Sequence, residues 1–364
     1  MQKKTHFIGF DLFSGAGGLA LGAEMAGIKV INAIEFDKNA AATYSFNHAK
    51  TNLIVDDIVN VKTINKLPEN KISILFGGPP CQGFSISNQR TRNKKNPSNW
   101  LLLEFIRIAK IIMPDWIVFE NVKGIIETEK GFFRDYIIKI LHDMGYKSSW
   151  NVLCSSNFGV PQYRARFFLI ASKHGYSVEF PENLTNKKLS VKEAIGDLPS
   201  LENGSNIDYL PYKKINPSKY AKTMRISQGC TGHLVTKNAP YVIERYPHIK
   251  QGGNWSDIPE KLMENYNDRM RCHSGIYYRL DAKEPAITIG NYRKAMLIHP
   301  WENRGLSVRE AARLQSFPDS YVFKGSMGFQ QQQVGNAVPP LLAKAVFSII
   351  TNGDYSYERT PRKI

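Results

Sequence analysis

The stretch Phe7-Ile8-Gly9-Phe10-Asp11-Leu12-Phe13-Ser14-Gly15-Ala16-Gly17-Gly18-Leu19-Ala20 decides the fold. Its first, mostly apolar part, Phe7 to Phe13, reads as a buried strand. The glycines that follow have the spacing G-x-G-x-x-A and open an apolar helical segment, 17–26. A glycine turn between strand and helix lets a ligand approach the backbone at a helix N-terminus. Val30 to Glu35 reads as a second strand, so the unit is βαβ and its sheet is parallel. Glu35 falls at the end of that strand, where a carboxylate accepts hydrogen bonds from ribose hydroxyls. Phe36 beside it is placed to lie against an adenine ring, and Asp57, past a third strand at 53–55, to take an exocyclic amine. The pattern predicts a nucleoside-bearing ligand. It does not by itself separate a dinucleotide from S-adenosylmethionine.

The alternation continues outward. Helices are expected at 39–47, 100–112 and 132–144, the last closed by Gly145. Strands are expected at 72–76, 117–119, 152–154 and 167–171. The fold class is therefore α/β, a doubly wound, Rossmann-like sheet spanning 1–180. Near Pro181 the composition shifts toward Asn, Lys, Tyr, Pro and Gly with weak periodicity, which predicts a smaller, loop-rich second domain over 181–320. A helix pattern returns at 308–317, and Gly335-Asn336-Ala337-Val338-Pro339-Pro340 opens a final helix at 341–350. Residues 335–352 are expected to complete the first domain.

The chain has 364 residues, with 48 Lys+Arg against 32 Asp+Glu, a formal charge of +16. That excess points to a polyanionic partner, nucleic acid first. No run approaches the roughly 18 apolar residues of a membrane span, and the N-terminus has no signal-like apolar core. Four cysteines without CxxC spacing suit reduced thiols inside a cell. Cys230-x-x-His233 and Cys272-His273 lack the spacing of a zinc ribbon or finger, so no metal is expected.

A second motif follows strand 72–76: Gly77-Gly78-Pro79-Pro80-Cys81-Gln82. The prolines stiffen the chain just before a thiol at the carboxyl end of a sheet strand, a place for reaction rather than packing. Glu120-Asn121-Val122 ends the strand at 117–119, so a nucleophile and a carboxyl group meet at strand ends. The basic, non-periodic segment 82–99, with Gln82, Ser85, Arg90 and Arg92, reads as a functional lid.

Taken in order, these blocks resemble the cytosine-C5 DNA methyltransferases. The resemblance rests on Asp11–Gly18, Glu35–Asp37, Asp57-Ile58, Gly78–Ser85, Leu101 with Glu104-Phe105, Glu120–Val122, Gln162–Arg166, Arg309–Pro318 and Gly335–Pro339. It implies S-adenosylmethionine as methyl donor, bound by Phe13, Gly15, Gly17, Glu35, Phe36, Asp57, Ile58, Pro80, Leu101, Asn336 and Ala337. It implies that Cys81 attacks C6 of a cytosine flipped out of double-stranded DNA, with Glu120 at N3, Arg166 at O2 and Arg164 supporting the same network. Gln82, Ser85, Arg90 and Arg92 would hold DNA from the lid. Arg279 and Thr288 would belong to the target-recognition domain, whose Lys213, Lys214, Lys219, Lys222, Arg225, Arg245, Arg269, Arg271 and Arg293 are interleaved with tyrosines. Ala165 departs from the pattern, since the family often has glutamate there; the loss is expected to loosen the flanking arginines. The resemblance further implies a monomer in the cytoplasm of a prokaryotic cell, with a restriction endonuclease acting separately on the same sequence. A tRNA cytosine-C5 methyltransferase would use the same residues. An inactive DNA-binding regulator would have no use for Cys81, and an oxidoreductase no use for a cysteine after two prolines.

Overall fold

The computed structural model describes residues 7–64, 68, 70–80, 100–184, 187–266, 273–290, 292–353 and 355. A seven-stranded sheet organises the chain: β1 (Phe7–Leu12), β2 (Lys29–Glu35), β3 (Asn52–Val55), β4 (Ile72–Gly77), β5 (Trp116–Val122), β6 (Lys147–Cys154) and β7 (Ala165–Ser172). The order across the sheet is β3-β2-β1-β4-β5-β7-β6. The first five are parallel; β7 runs antiparallel to β5, and β6 antiparallel to β7. The winding reverses between β1 and β4. In such sheets the crevice at the reversal, outside the carboxyl ends of the strands, is where ligands bind.

The strands read as continuous apolar runs because both faces are covered. On β4, Ile74 and Phe76 face one cluster and Leu75 the other. The first face is covered by Leu19, Ala20 and Ala23 of α1 (Gly18–Met25), while α2 (Lys38–Asn47) flanks β2 and β3. The opposite face carries Phe105 and Ile108 of α3 (Leu101–Ile112) and Phe133, Ile137 and Leu141 of α4 (Phe132–Asp143).

Residues beyond 187 contain short elements: α5 (Val191–Ile195), the hairpin β8 (Leu210–Pro211) and β9 (Gly229–Cys230), α6 (Lys219–Met224), α7 (Pro240–Ile243), α8 (Tyr292–Ala295) and α9 (Val308–Leu314). They build a third apolar cluster around Val191, Leu280, Ile289, Ala311 and Phe317, which takes in Ala16 from the glycine turn. A smaller fourth cluster centres on Tyr246, Tyr277 and Ile298. Two helices end the described chain, α10 (Met327–Asn336) and α11 (Pro340–Thr351). Helix α10 was not expected. Its Gln330–Gln333 run has no apolar stripe, and tertiary bonds place it: Thr43 Oγ1 donates to Gln333 Oε1 at 2.6 Å, and Gln315 Nε2 to the carbonyl of Val334 at 2.8 Å. Helix α11 returns to the sheet and packs Leu342, Ala343, Val346 and Phe347 on the α1 face.

Candidate active site

The crevice begins where β1 ends. Phe13, Gly15 and Gly17 all have positive φ (55°, 53° and 86°), so the turn coils tightly before α1. A Cβ on Gly15 would meet nothing within 4 Å, so the turn opens onto free space there. Glu35 locks this turn to the neighbouring strand: Oε2 accepts the Gly15 N–H at 2.7 Å and Oε1 the Asp37 N–H at 2.8 Å. Burial raises its carboxyl above the ordinary range, and those N–H groups oppose the rise. Asp37 caps α2 by accepting from Asn39 and Ala40. Phe36, between the two acids, is 71% exposed. The carboxylate of Asp57 is exposed and accepts from Val59 N–H at 3.0 Å. Pro80 and Asn336 are exposed; Leu101 and Ala337 are half-buried. Ile58 follows Asp57, its side chain buried in the second apolar cluster and its carbonyl accepting from Arg107 at 2.8 Å.

The second end lies where β4 and β5 finish. Glu120 is 7% exposed, and its Oε1 lies 3.0 Å from Nε of Arg166. The two stand diagonally across the β5–β7 ladder, where Val122 opposes Arg166 and Glu120 opposes Phe168. Burial pushes the Glu120 carboxyl up; Arg166 and then Arg164 pull it down, without cancelling the rise. A Cβ on Gly78 would overlap Oε2 of Glu120, so a side chain there would force this carboxylate or the loop after β4 to shift. Asn121 Nδ2 donates to the carbonyl of Pro79 at 3.2 Å and ties that loop to β5. The chain is thus led to the carboxylate immediately before Cys81. Cys81, Gln82, Ser85, Arg90 and Arg92 themselves lie outside the described residues, as do Arg269, Arg271 and Cys272.

Arg164 and Arg166 do different things. Arg164 is buried and donates to the carbonyls of Ile289 and Gly335, each at 2.8 Å, so it straps the two halves of the chain together. Its charge reaches Glu120, but these bonds go elsewhere. Buried Gln162 works beside it, accepting from Ile289 N–H at 2.8 Å and donating to Gln315 Oε1 at 3.0 Å. Ala165 leaves neither arginine loose: Arg166 Nη1 donates to the Ala165 carbonyl at 2.9 Å and Nε faces Glu120. Gln162, Gln315 and Asn121 were quoted only as parts of blocks; nothing in their side chains alone marked them as supports.

The expected DNA readers divide sharply. Arg279 is buried, and its guanidinium donates to the carbonyls of Ile249, His299, Glu302 and Tyr246 and to Asn303 Oδ1. With its donors spent internally it cannot reach a base, and the DNA-binding role is corrected to a structural one. Arg245 is buried on Tyr277, Asn265 and Leu262, and Arg225 pairs with Asp197 at 2.7 Å. Thr288 is exposed, although its hydroxyl donates to the Tyr163 carbonyl. Lys214, Lys219, Lys222 and Arg293 are exposed and Lys213 is half-buried. Cys230 and His233 contact each other at 3.4 Å in the interior.

With this geometry in place, comparison with known proteins is decisive. The C-5 cytosine-specific DNA methylase family matches residues 7–352. The chain belongs to that family. Type II methyltransferase M1.HphI of Haemophilus parahaemolyticus is 36% identical over 341 residues, covering 92% of this chain and 84% of its own. Type II methyltransferase M.DdeI of Desulfomicrobium norvegicum is 34% identical over 360 residues, covering 92% and 86%. A solved structure from E. coli, described as a prophage-encoded DNA modification methyltransferase, shares the fold with a TM-score of 0.76 at 24% identity, covering 95% of this chain and 99% of its own. As a cytosine-C5 DNA methylase, the chain places its glycine turn at the end of β1 and its Glu120–Arg166 pair at the end of β5, with β4 between them, along one edge of the sheet.

Proposed function

We propose that this methylase transfers a methyl group from S-adenosylmethionine to C5 of a cytosine flipped out of a short double-stranded DNA sequence. The observation that carries the reading is the Glu120–Arg166 pair, buried at the β5–β7 ladder and faced by the loop that leads into Cys81. The residues of the other end fit the donor: a carboxylate at the end of β2, an exposed aromatic ring beside it, an exposed acid at Asp57 and open space over Gly15 suit a ribose, an adenine, its amine and a polar tail. Phe13, Pro80, Leu101, Asn336 and Ala337 would complete its walls. When bound, S-adenosylmethionine supplies an electrophilic methyl group.

Cytosine C5 is a poor nucleophile until a thiolate adds to C6. In this reading Cys81 forms that sulfur–carbon bond, and the C5–C6 electron pair shifts toward N3 and O2. Glu120, whose carboxyl burial pushes up, donates from its protonated form to N3; Arg166 meets the charge at O2. C5 then takes the methyl group, the C5 proton leaves to a base, the returning electron pair expels Cys81 as thiolate, and N3 gives its proton back to Glu120. Residues 82–99 close over the extruded base. Residues 181–320 read the sequence, with exposed lysines on phosphates. The names of its relatives, Type II methyltransferases, support a restriction-modification setting with DNA as partner. The reading extends to a separately acting endonuclease, a monomeric enzyme and a bacterial cytoplasm.

An oligonucleotide carrying 5-fluorocytosine at the target tests the chemistry, since fluorine cannot leave as the C5 proton does. The target comes from bisulfite sequencing of plasmid from expressing cells. A covalent protein–DNA species that needs the methyl donor and disappears in Cys81→Ala is expected. Absence of that species on a verified target sinks the proposal.

A further inference from the structure

A chain of hydrogen bonds runs from Glu24, at the surface, to the glycine turn. Both carboxylate oxygens of Glu24, on α1, lie 3.1 Å from Nδ1 of His48. Nε2 of His48 lies 3.0 Å from the hydroxyl of Tyr321. Tyr321 in turn donates to the carbonyl of Ala16, between Gly15 and Gly17. His48 and Tyr321 are both buried, in a space they share with Asp11 and Tyr44.

The Ala16 carbonyl only accepts, so the Tyr321 hydroxyl donates to it. Both ring nitrogens of His48 have a partner, Glu24 at Nδ1 and Tyr321 at Nε2, so the ring is held from two sides. Gly17 lies over this chain. Its φ is 86°, and a Cβ there would stand 2.5 Å from both His48 Nε2 and the Tyr321 hydroxyl.

The two central residues come from opposite ends of the sequence. His48 follows the last turn of α2, which starts three residues after Glu35. The Tyr321 ring packs in the third cluster, 4.8 Å from Phe317 and 5.5 Å from Phe323. Helix α2 is stitched to the segment after Tyr321. Asn47 Nδ2 donates to the Val322 carbonyl at 2.8 Å, its Oδ1 accepts from Val322 N–H at 3.0 Å, and Thr43 Oγ1 accepts from Lys324 N–H at 2.8 Å. Movement of the 321–325 segment relative to the sheet must therefore pull on α2 and on the turn together.

We propose that Tyr321 and His48 are positioning residues of the methyl-donor site, holding the Ala16 carbonyl so that the space over Gly15 stays in register with Glu35. The inference rests on the reading that this turn holds S-adenosylmethionine. Tyr321→Phe is the sharpest test, because it removes one oxygen and keeps the ring among its neighbours. Titration calorimetry with S-adenosylmethionine should show a Kd raised about tenfold, the effect of losing one buried hydrogen bond. At saturating donor kcat should stay within twofold, and DNA affinity and Tm should hold. His48→Gln should also raise the donor Kd. The double variant should be no weaker than the worse single one, because both break the same chain. A donor Kd within twofold of wild type in Tyr321→Phe would overturn the inference. So would a parallel loss of donor affinity, DNA affinity and Tm, which marks general damage, or additive effects in the double variant. Wild-type protein that binds no S-adenosylmethionine instead refutes the donor reading itself, a different result.

Discussion

The carboxyl edge of the sheet holds two buried glutamates, on β2 and β5 with β1 and β4 between them, and they are wired differently. Glu35 is grasped by main-chain N–H groups, from Gly15 and Asp37, which cannot turn away. Glu120 is met by a side chain, Arg166, and by a loop that skims past at Gly78. Burial raises both carboxyls. The contrast teaches that an acid serving as a fixed acceptor is built into the backbone. The acid proposed to exchange a proton is left with a side-chain partner, Arg166, that can follow it.

The largest break in that comparison is Glu120→Gln, which keeps the shape and removes the acid. It should lower kcat by about a hundredfold to ten-thousandfold, the span for a lost general acid, and leave the donor Kd within twofold. The pH profile sharpens the point. Glu120 donates only while protonated, so kcat should fall as pH rises through its raised value. Stability follows the same sign: the folded state holds this proton more tightly than the unfolded chain. Thermal unfolding should therefore show stability lost between the ordinary carboxylate range and the raised value, a slope that Glu120→Gln removes. Next comes Gly78→Ala, whose methyl group displaces the loop from the carboxylate; kcat should drop about tenfold to a hundredfold with donor affinity retained. Glu35→Gln should do the reverse. It keeps an acceptor for Gly15 but loses the charge, so calorimetry should show a donor Kd weakened by about tenfold and kcat at saturation little changed.

The smallest effects separate the basic residues of the second half. Arg279→Ala should cost about 2–4 kcal/mol in denaturant unfolding, as for a dismantled buried network. The folded fraction should keep the wild-type salt dependence of DNA binding. Lys214→Ala should leave stability unchanged and reduce the slope of log K against log salt by about one unit. An Arg279 variant that is stable but loses DNA affinity reverses the assignment.

The two halves were unequally legible. Strands such as Ile72–Gly77 and helices such as Leu101–Ile112 announce themselves because burial imposes their apolar patterns. The glycine turn, Glu35 and Glu120 stand at strand ends, where order along the chain predicts position. Arg279 could not be placed the same way, since a guanidinium that holds four carbonyls looks, as a letter, like one that holds DNA. Helix α10 was hidden for the complementary reason: its Gln side chains make tertiary bonds, which leave no period. His48 and Tyr321 are 273 positions apart, and neither carries a local signal of the contact.

Helix α11 has a consequence for how the enzyme comes into being. It is the last of the described helices, yet it covers α1, the first of them. A chain growing from its N-terminus therefore carries the α1 face of the sheet wet until residues near 350 have left the ribosome, a span in which chaperones have reason to hold it. Premature termination anywhere before that point yields a sticky fragment rather than a weakened enzyme. In the cell, synthesis of the final turn would act as the switch between an inert polypeptide and one able to mark DNA.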